Sequence, residues 1–236
     1  MTTFVLIPGA GGAPEYWQLV EPELRRRGYS AISVALPAGD DSAGIREYAD
    51  AVLAAVGEAT DDLVVVGQSL GGFTAPVVAE QLKASRIVLV NAMIPTPGES
   101  AGAWWDNTGS GEARRANDEK LGRDPDADFD LDFYFLHDLS PEVADRARED
   151  GRPQSDGVFA RPNPLTAWPD IPTRVVVGRD DRFFPAGFQQ RVAKERLGIE
   201  AAVIPGGHLV ALGNPVELAD QLEDALNLPD PSPRTS

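Results

Sequence analysis

The chain has 236 residues, 42% of them hydrophobic, and a net charge of −16 because 37 acidic side chains outnumber 21 basic ones. This length suits one large core and leaves little room for two ordinary domains. The acidity makes nucleic acid and membrane surfaces poor partners, since both carry negative charge. The absence of cysteine excludes disulfides, thiolate metal sites and a cysteine nucleophile.

The start of the chain, MTTFVLIPGA, has an apolar run of strand length without a basic segment or a cleavage site. We interpret it as a buried first strand rather than a signal peptide, so the expected location is cytoplasmic. No stretch approaches the ~20 apolar residues that span a bilayer. The two histidines and the absence of an HExxH spacing indicate that no metal is bound, and we expect no cofactor.

Short apolar runs alternate with helical patterns along the chain. The runs are predicted as strands over residues 3–8, 30–36, 63–67, 86–91, 173–178 and 200–205. Helices are predicted over residues 17–28, 44–58, 73–82, 184–198 and 214–226. Near-continuous apolar strands are typical of a parallel sheet covered on both faces. The predicted fold class is therefore α/β, with a doubly wound, mostly parallel sheet and helices on both faces.

One region breaks this alternation. Residues 92–168 contain no convincing apolar strand, are rich in aromatic side chains and include a predicted helix at 140–150. We predict that they form a small helical cap inserted into a core of residues 1–91 and 169–227, with a peripheral decoration as the alternative. The segment 228–236 is rich in proline and serine and is predicted to be a flexible tail.

The stretch LVVVGQSLGGF at 63–73 places Ser69 between Gly67 and Gly71 in a G-x-S-x-G pattern. A predicted strand precedes the motif and a predicted helix follows it, which is the context of a nucleophile on a sharp, strained turn. Side chains at the flanking glycines would collide with neighbouring elements. Ser69 is therefore the candidate nucleophile, and a glycine-rich turn without chemistry is the alternative.

A serine hydroxyl needs a base at neutral pH. His208, in IPGGHLVALGNP, follows the last predicted strand, so it emerges where the serine turn should emerge. His137 lies in the inserted region, and we interpret it as a helix-cap or pocket-wall residue. The loop GRDDRFFP offers Asp180 and Asp181 as the acid that orients the base. The chain order Ser, Asp, His is the one expected for this motif.

An oxyanion hole needs backbone amides directed at the charge that develops in a tetrahedral intermediate. One candidate donor is the amide of Leu70, and the other is the amide of Ala10 in the glycine-rich loop IPGAGGAPEYW, for which a plain turn is the alternative. Neither a phosphate-binding nor a dinucleotide glycine pattern is matched. The residues assigned to the substrate pocket are Gly9, Trp104, Phe133 and His137, although aromatic residues at such spacing often serve packing alone.

The motifs PGAGGAPEYW, GQSLGG, GRDDRFFP and PGGHLVALGNPVELA resemble those of the α/β-hydrolase superfamily over almost the whole chain. The resemblance implies the α/β-hydrolase fold, with residues 92–168 at the usual position of the cap. The family pattern G-x-x-D-x-x-x-P, matched from Gly178 to Pro185, implies that Asp181 is the acid. The chain looks most like small bacterial esterase-like members and is similar to the plant methylesterase and hydroxynitrile lyase group.

Two departures from the family pattern bear on function. Pro8-Gly9 stands where the family often has His-Gly, and Gly9 and Leu209 stand where the lyase members have threonine and lysine. The resemblance therefore implies ester hydrolysis over cyanohydrin cleavage. The sequence predicts a serine hydrolase acting on a small carboxylic ester or lactone. A lyase or cyclase on the same fold and a small-ligand-binding protein with vestigial turnover are the alternatives.

Overall fold

The structure, a computed structural model, describes residues 1–58 and 62–229. Within these residues six strands form one sheet: β1 (Thr2–Ile7), β2 (Ser30–Ser33), β3 (Asp62–Gln68), β4 (Arg86–Val90), β5 (Thr173–Gly178) and β6 (Ala202–Ile204). Their order across the sheet is β2-β1-β3-β4-β5-β6, and each neighbouring pair is parallel. The α/β fold class predicted from the alternating runs is confirmed.

Ten α-helices lie in the same part of the chain: α1 (Val20–Arg26), α2 (Ile45–Val56), α3 (Gly71–Leu82), α4 (Ala101–Thr108), α5 (Ser110–Lys120), α6 (Pro141–Glu149), α7 (Gly157–Ala160), α8 (Ala186–Leu197), α9 (Val210–Gly213) and α10 (Pro215–Asp224). Single 3₁₀ turns cover Pro14–Trp17 and Ala225–Asn227, and a π-helical turn covers Asp132–Leu136. No described helix combines the length and apolarity required to cross a bilayer.

Alternating strand residues pack into two hydrophobic cores, one on each face of the sheet. Val5 and Ile7 of β1 belong to the core packed against α2, α3 and α8. Phe4 and Leu6 belong to the core packed against α1, α9 and α10. All four side chains are fully buried, and burial of one such side chain contributes about 1.5–3 kcal/mol. The near-continuous apolar runs of the central strands follow from this double burial, whereas the edge strands β2 and β6 are partly exposed.

Residues 92–168, here named the insertion, run between β4 and β5. They contain α4 to α7 and the π-helical turn, and one isolated bridge joins Ser100 to Pro162. Glu99, 3% exposed at its side chain, is joined to Arg196 of α8 by an ion pair whose shortest contact is 2.5 Å. Thus a buried charge pair ties the base of the insertion to the core.

Two predicted elements are longer than the observed ones. The strand predicted over 30–36 ends at Ser33, because the amide of Leu36 donates to Gly12 O rather than to β1. The helix predicted over 17–28 occupies only Val20–Arg26 and follows a separate 3₁₀ turn. Of the predicted tail, residues 230–236 lie outside the described part of the chain.

The register of the strands brings their carboxyl ends together. Ile7 pairs with Gly67, and Gln68 pairs with Val90. The loop after β1 therefore lies beside the turn after β3, between the two strands where the chain reverses its direction of travel across the sheet. In open parallel sheets this crevice is the usual place for a ligand site.

Candidate active site

Ser69 follows β3 on a sharp turn. Its φ angle is +48°, a left-handed conformation that costs a non-glycine residue of order 1 kcal/mol or more. The Ser69 amide donates to Val90 O at 3.2 Å, and its carbonyl accepts from Gly72 N at 3.0 Å. A Cβ on Gly67 would lie 2.7 Å from Gly71 O, and one on Gly71 would lie 2.6 Å from Pro8 O. The flanking glycines are thus required by close backbone approach, as the motif predicts.

Three side chains from separate loops meet at this turn. His208 Nε2 lies 3.1 Å from Ser69 Oγ, and His208 Nδ1 lies 2.8 Å from Asp181 Oδ2. Since an ionised carboxylate only accepts hydrogen bonds, Nδ1 holds the hydrogen and Nε2 is free to accept the serine hydroxyl proton. The three residues are 9%, 2% and 3% exposed in the order Ser69, His208, Asp181. The fold therefore brings Ser69 and His208, which are 139 residues apart in the sequence, into one short chain of hydrogen bonds.

The two neighbouring aspartates have different environments. Asp181 Oδ1 accepts the amides of Phe183 and Phe184 at 2.9 and 2.8 Å, which leaves Oδ2 for His208. Asp180 instead pairs with Arg179, and this guanidinium holds the pKa of the Asp180 carboxyl below its usual range. The sequence motif offered both Asp180 and Asp181 as the orienting acid, and the structure places Asp181 against the imidazole.

Asn91 connects the acid loop with the histidine loop and was not predicted. It is fully buried directly after β4. Its Nδ2 donates to the carbonyls of Gly207 and His208, both at 3.0 Å, and its Oδ1 accepts Gly178 N at 2.7 Å. The signal in the sequence was a polar residue at the end of the run RIVLVN, where parallel strands carry site residues.

The residues whose amides are proposed for the oxyanion hole lie beside the same cavity as Ser69. Ala10 and Leu70 both line the cavity above the serine. Neither backbone N–H donates to an acceptor in the described residues, whereas the neighbouring Gly11 N donates to Gln154 Oε1 at 2.9 Å and Gly12 N to Gly9 O at 3.1 Å. Two unpaired donors near a nucleophile are available to a developing oxyanion.

A cavity of about 440 Å³ opens above Ser69, and Gly9 is part of its wall as predicted. Its polar rim includes Glu15 and Arg152, whose ion pair measures 2.7 Å. The remainder is mainly apolar and includes seven aromatic side chains: Tyr16, Trp105, Phe129, Phe135, Phe159, Phe183 and Phe184. Such a space suits a small molecule with an apolar body rather than a polymer segment.

The other three predicted pocket residues do not line this cavity. Trp104 is fully buried in the core, and its Nε1 donates to Ile94 O at 3.1 Å, while the adjacent Trp105 faces the cavity. Phe133 lies against the guanidinium groups of Arg123 and Arg182, at 4.7 and 4.6 Å from its ring centre. Adjacent helical residues point in different directions, so an aromatic-rich segment does not reveal which ring reaches the site.

His137 also lies outside the cavity wall. Its Cε1 would lie 2.9 Å from a Cβ built on Gly207, so the ring packs behind the loop that carries His208. Burial lowers the pKa of the His137 imidazole, and the charge of Arg182 lowers it further. Of its two expected roles, pocket wall is wrong, because the ring packs against Gly207 and not against the cavity, whereas helix cap agrees with its place at the end of the π-helical turn.

Comparison with known proteins identifies the family of the chain. A family profile described as alpha/beta hydrolase family matches residues 4–221. The chain belongs to this family. A curated relative, the alpha/beta hydrolase nvfD of Aspergillus novofumigatus, is 26% identical over 233 residues, which cover 89% of this chain and 91% of the relative. The resemblance inferred from the motifs is confirmed.

Solved structures show the same fold at low sequence identity. Polyneuridine aldehyde esterase superposes with a TM-score of 0.80 at 21% identity, over 96% of this chain and 100% of the other. The methylesterase protein MES16 from Arabidopsis superposes with a TM-score of 0.74 at 16% identity, over 96% and 99%. This family member therefore shares its architecture with plant-type esterases over nearly its full length.

Proposed function

We propose that the protein is a serine hydrolase that cleaves a small carboxylic ester or lactone through an acyl-enzyme intermediate. The observation that supports this proposal is the chain of contacts from Ser69 through His208 to Asp181, at 3.1 and 2.8 Å. Such a chain has the geometry of a nucleophile, a base and an orienting acid.

In the first half-reaction, Ser69 Oγ attacks the substrate carbonyl carbon while His208 Nε2 accepts the hydroxyl proton. Asp181 holds Nδ1–H and stabilises the imidazolium that forms. The amides of Ala10 and Leu70 donate to the oxyanion, and one such donor is worth about 3 kcal/mol in the transition state. The ester C–O bond then breaks, and the leaving alkoxide takes the proton from His208.

In the second half-reaction, water attacks the acyl carbon and gives its proton to His208. The bond to Ser69 Oγ breaks, the acid is released, and the serine oxygen regains the proton. With a lactone, the acyl group and the alcohol stay in one molecule, so the product is a hydroxy acid. Neither half-reaction needs an oxidant, a reductant or a bound cofactor.

The cavity supports a neutral or weakly polar ester of modest size. Its wall is mainly apolar, and Leu209 lines it directly after His208, at the position that corresponds to a lysine in the lyase members of the group. Structures of similar fold bear the names esterase, methylesterase and pyrethroid hydrolase, the last from Sphingobium faniae. The first two of these names refer to ester cleavage and the third to hydrolysis.

The test compares the parent protein with Ser69→Ala on a panel of 4-nitrophenyl esters of two to eight carbons and on simple lactones. We expect Ser69→Ala to lower kcat by at least about 10⁴-fold, because a triad acts as a unit. Ser42→Ala, at an exposed turn serine bonded to Asp40, serves as the matched control. Equal turnover by the parent and Ser69→Ala would contradict the proposal.

Labelling with a fluorophosphonate separates hydrolysis from the alternatives. Intact mass spectrometry should show one adduct per chain on the parent and none on Ser69→Ala, because only a base-activated serine reacts. Labelling without turnover of any ester would favour a lyase or cyclase that uses the same site. A parent protein that stays unlabelled would favour a binding protein with an inactive triad.

A further inference from the structure

The insertion contacts the histidine loop through one short segment, residues 132–138, here named the insertion turn. The ring of Phe135 stacks on the imidazole of His208, with centroids 4.9 Å apart and planes inclined by 20°. Asp138 Oδ2 accepts the amide of Gly207 at 2.5 Å. The turn therefore reaches both the side chain and the backbone of the loop that carries the proposed base.

The backbone of the insertion turn is unusual at this point. Residues Asp132–Leu136 form a π-helical turn, a rare conformation that is found often at functional sites. The histidine loop has a matching shape, because a Cβ on Gly207 would lie 2.8 Å from Asp138 Oδ1. The two segments are thus in direct contact, and a side chain at Gly207 would displace Asp138 or His137.

The aromatic groups around the imidazole come from two different parts of the fold. Phe183 and Phe184, in the acid loop of the core, present their rings at 72° and 81° to the imidazole. Phe135 covers a face of the imidazole and comes from the insertion. Loss of the Phe135 ring would open that face and give the imidazole room to turn away from Ser69.

We propose that the insertion turn positions His208 for proton transfer, with Phe135 and Asp138 as positioning residues. This proposal rests on the proposed function. Asp138 holds the backbone of the histidine loop, and Phe135 limits the orientation of the ring at the moment when it accepts the serine proton. The face of Phe135 also attracts the imidazolium as it forms, since an aromatic ring presents negative potential to a cation.

The same turn contains a matched control. Phe133 lies two residues before Phe135 in the same π-helical turn, but its ring packs against Arg123 and Arg182 and it is not part of the cavity wall. Phe133→Leu and Phe135→Leu remove the same atoms from the same turn. A role limited to folding of the insertion predicts similar effects of both changes, whereas positioning of His208 predicts an effect on turnover from Phe135→Leu alone.

The experiment measures kcat, KM and the fluorophosphonate labelling rate for Asp138→Ala, Asp138→Asn, Phe135→Leu and Phe133→Leu, with a 4-nitrophenyl ester as substrate. We expect Asp138→Ala to lower kcat about tenfold with KM within about twofold, since one partly buried hydrogen bond to a carboxyl group is lost. Asp138→Asn should retain most of the parent kcat, because its amide oxygen still accepts Gly207 N–H. Phe135→Leu should lower kcat by about three- to thirtyfold.

The labelling rate should fall in parallel with kcat in Asp138→Ala and Phe135→Leu, because both readouts depend on activation of Ser69 by His208. Phe133→Leu should keep kcat and the labelling rate within about twofold of the parent values. If Asp138→Ala does not fold, the comparison of the two phenylalanine variants decides the question.

Two results would overturn the proposal while leaving ester hydrolysis intact. One is parent-like kcat in both Asp138→Ala and Phe135→Leu, alongside an inactive Ser69→Ala. The other is an equal fall of kcat in Phe133→Leu and Phe135→Leu, which would reflect general loosening of the insertion. An active Ser69→Ala would instead overturn the proposed function itself.

Discussion

The loops at the sheet edge and the insertion above them are held by different kinds of contact. At the sheet edge, Ser69, Asp181 and His208 are almost fully buried, and the amide of Asn91 joins the loops through three backbone groups. The insertion has backbone bonds to the core, such as Ser155 N to Ala38 O, but most of its contacts there involve side chains, including the Glu99–Arg196 pair and the stacked ring of Phe135.

This difference predicts that changes in the two regions affect different properties of the protein. Adjacent parallel strands fix the positions of the loops that follow them. Small geometric changes in these loops should therefore affect the rate of the reaction. Contacts made by long side chains tolerate more rearrangement, so changes in the insertion should affect stability and substrate fit more than the reacting groups. The insertion turn is the exception, because it touches the histidine loop directly.

Among the changes that compare the two regions, the largest effect is expected within the acid loop. Asp181→Asn should lower kcat by about 10⁴-fold, because the amide no longer holds the imidazole in the tautomer that accepts the serine proton. The adjacent Asp180→Asn should stay within about fivefold of the parent kcat, since Asp180 contacts Arg179 and Gly206 N but not the imidazole. Steady-state kinetics on one activated ester measures both, and equal losses would contradict the assignment of the acid.

Two buried asparagines sharpen the comparison between the regions. Asn91 and Asn163 each donate to two carbonyls and accept one backbone amide, but Asn163 does so at the base of the insertion. Asn91→Asp should lower kcat about 10- to 100-fold, because a carboxylate facing two carbonyl oxygens displaces the histidine loop. Asn163→Asp should lower the melting temperature yet keep kcat within about threefold when activity is measured well below unfolding.

A parent-like kcat for Asn91→Asp would contradict the distinction between the sheet-edge loops and the insertion. It would show that the histidine loop keeps its position without the bonds from Asn91. The melting temperatures of both variants provide the control for general damage, since each change introduces the same charge into a buried site.

The fold and the proposed nucleophile were accessible from local pattern. Apolar runs of strand length predicted the six strands to within a few residues, and the glycines around Ser69 predicted the turn whose close contacts the structure shows. Asn91 was not predicted, because its role depends on two loops that lie 87 and 117 residues further along the chain. No periodicity within one segment encodes such a contact.

The smallest effect on turnover is expected at the base of the insertion. Glu99→Gln should lower the free energy of unfolding by about 3 kcal/mol, because Arg196 loses its buried counter-charge. For a chain of this size that corresponds to a fall of about 6–12 °C in melting temperature, with little change in kcat. Glu195→Gln, in an exposed pair with Arg191, is the control and should change stability by less than about 0.5 kcal/mol.

The pH dependence of the same variant gives a second check. Burial raises the pKa of Glu99, but hydrogen bonds from Arg196, Asn107 and Thr96 N outweigh it and hold the pKa below its usual range. The stabilisation is therefore present above the pKa of the unfolded state, near 4.3, and is lost as the pH falls through the lower pKa of the folded state. The difference in stability between parent and Glu99→Gln should shrink in that acid range, and a constant difference would contradict the ion pair.

The amino-acid sequence by itself determined the alternation of strands and helices, the strained serine turn and the order of the three candidate site residues. These features depend on residues close together in the chain, where apolar spacing and glycine have local consequences. Only the tertiary structure decided that Trp105 and Phe135, rather than Trp104 and Phe133, face the cavity. That choice depends on the direction in which each side chain leaves its helix and on what packs there, and neither is set by the neighbouring residues alone.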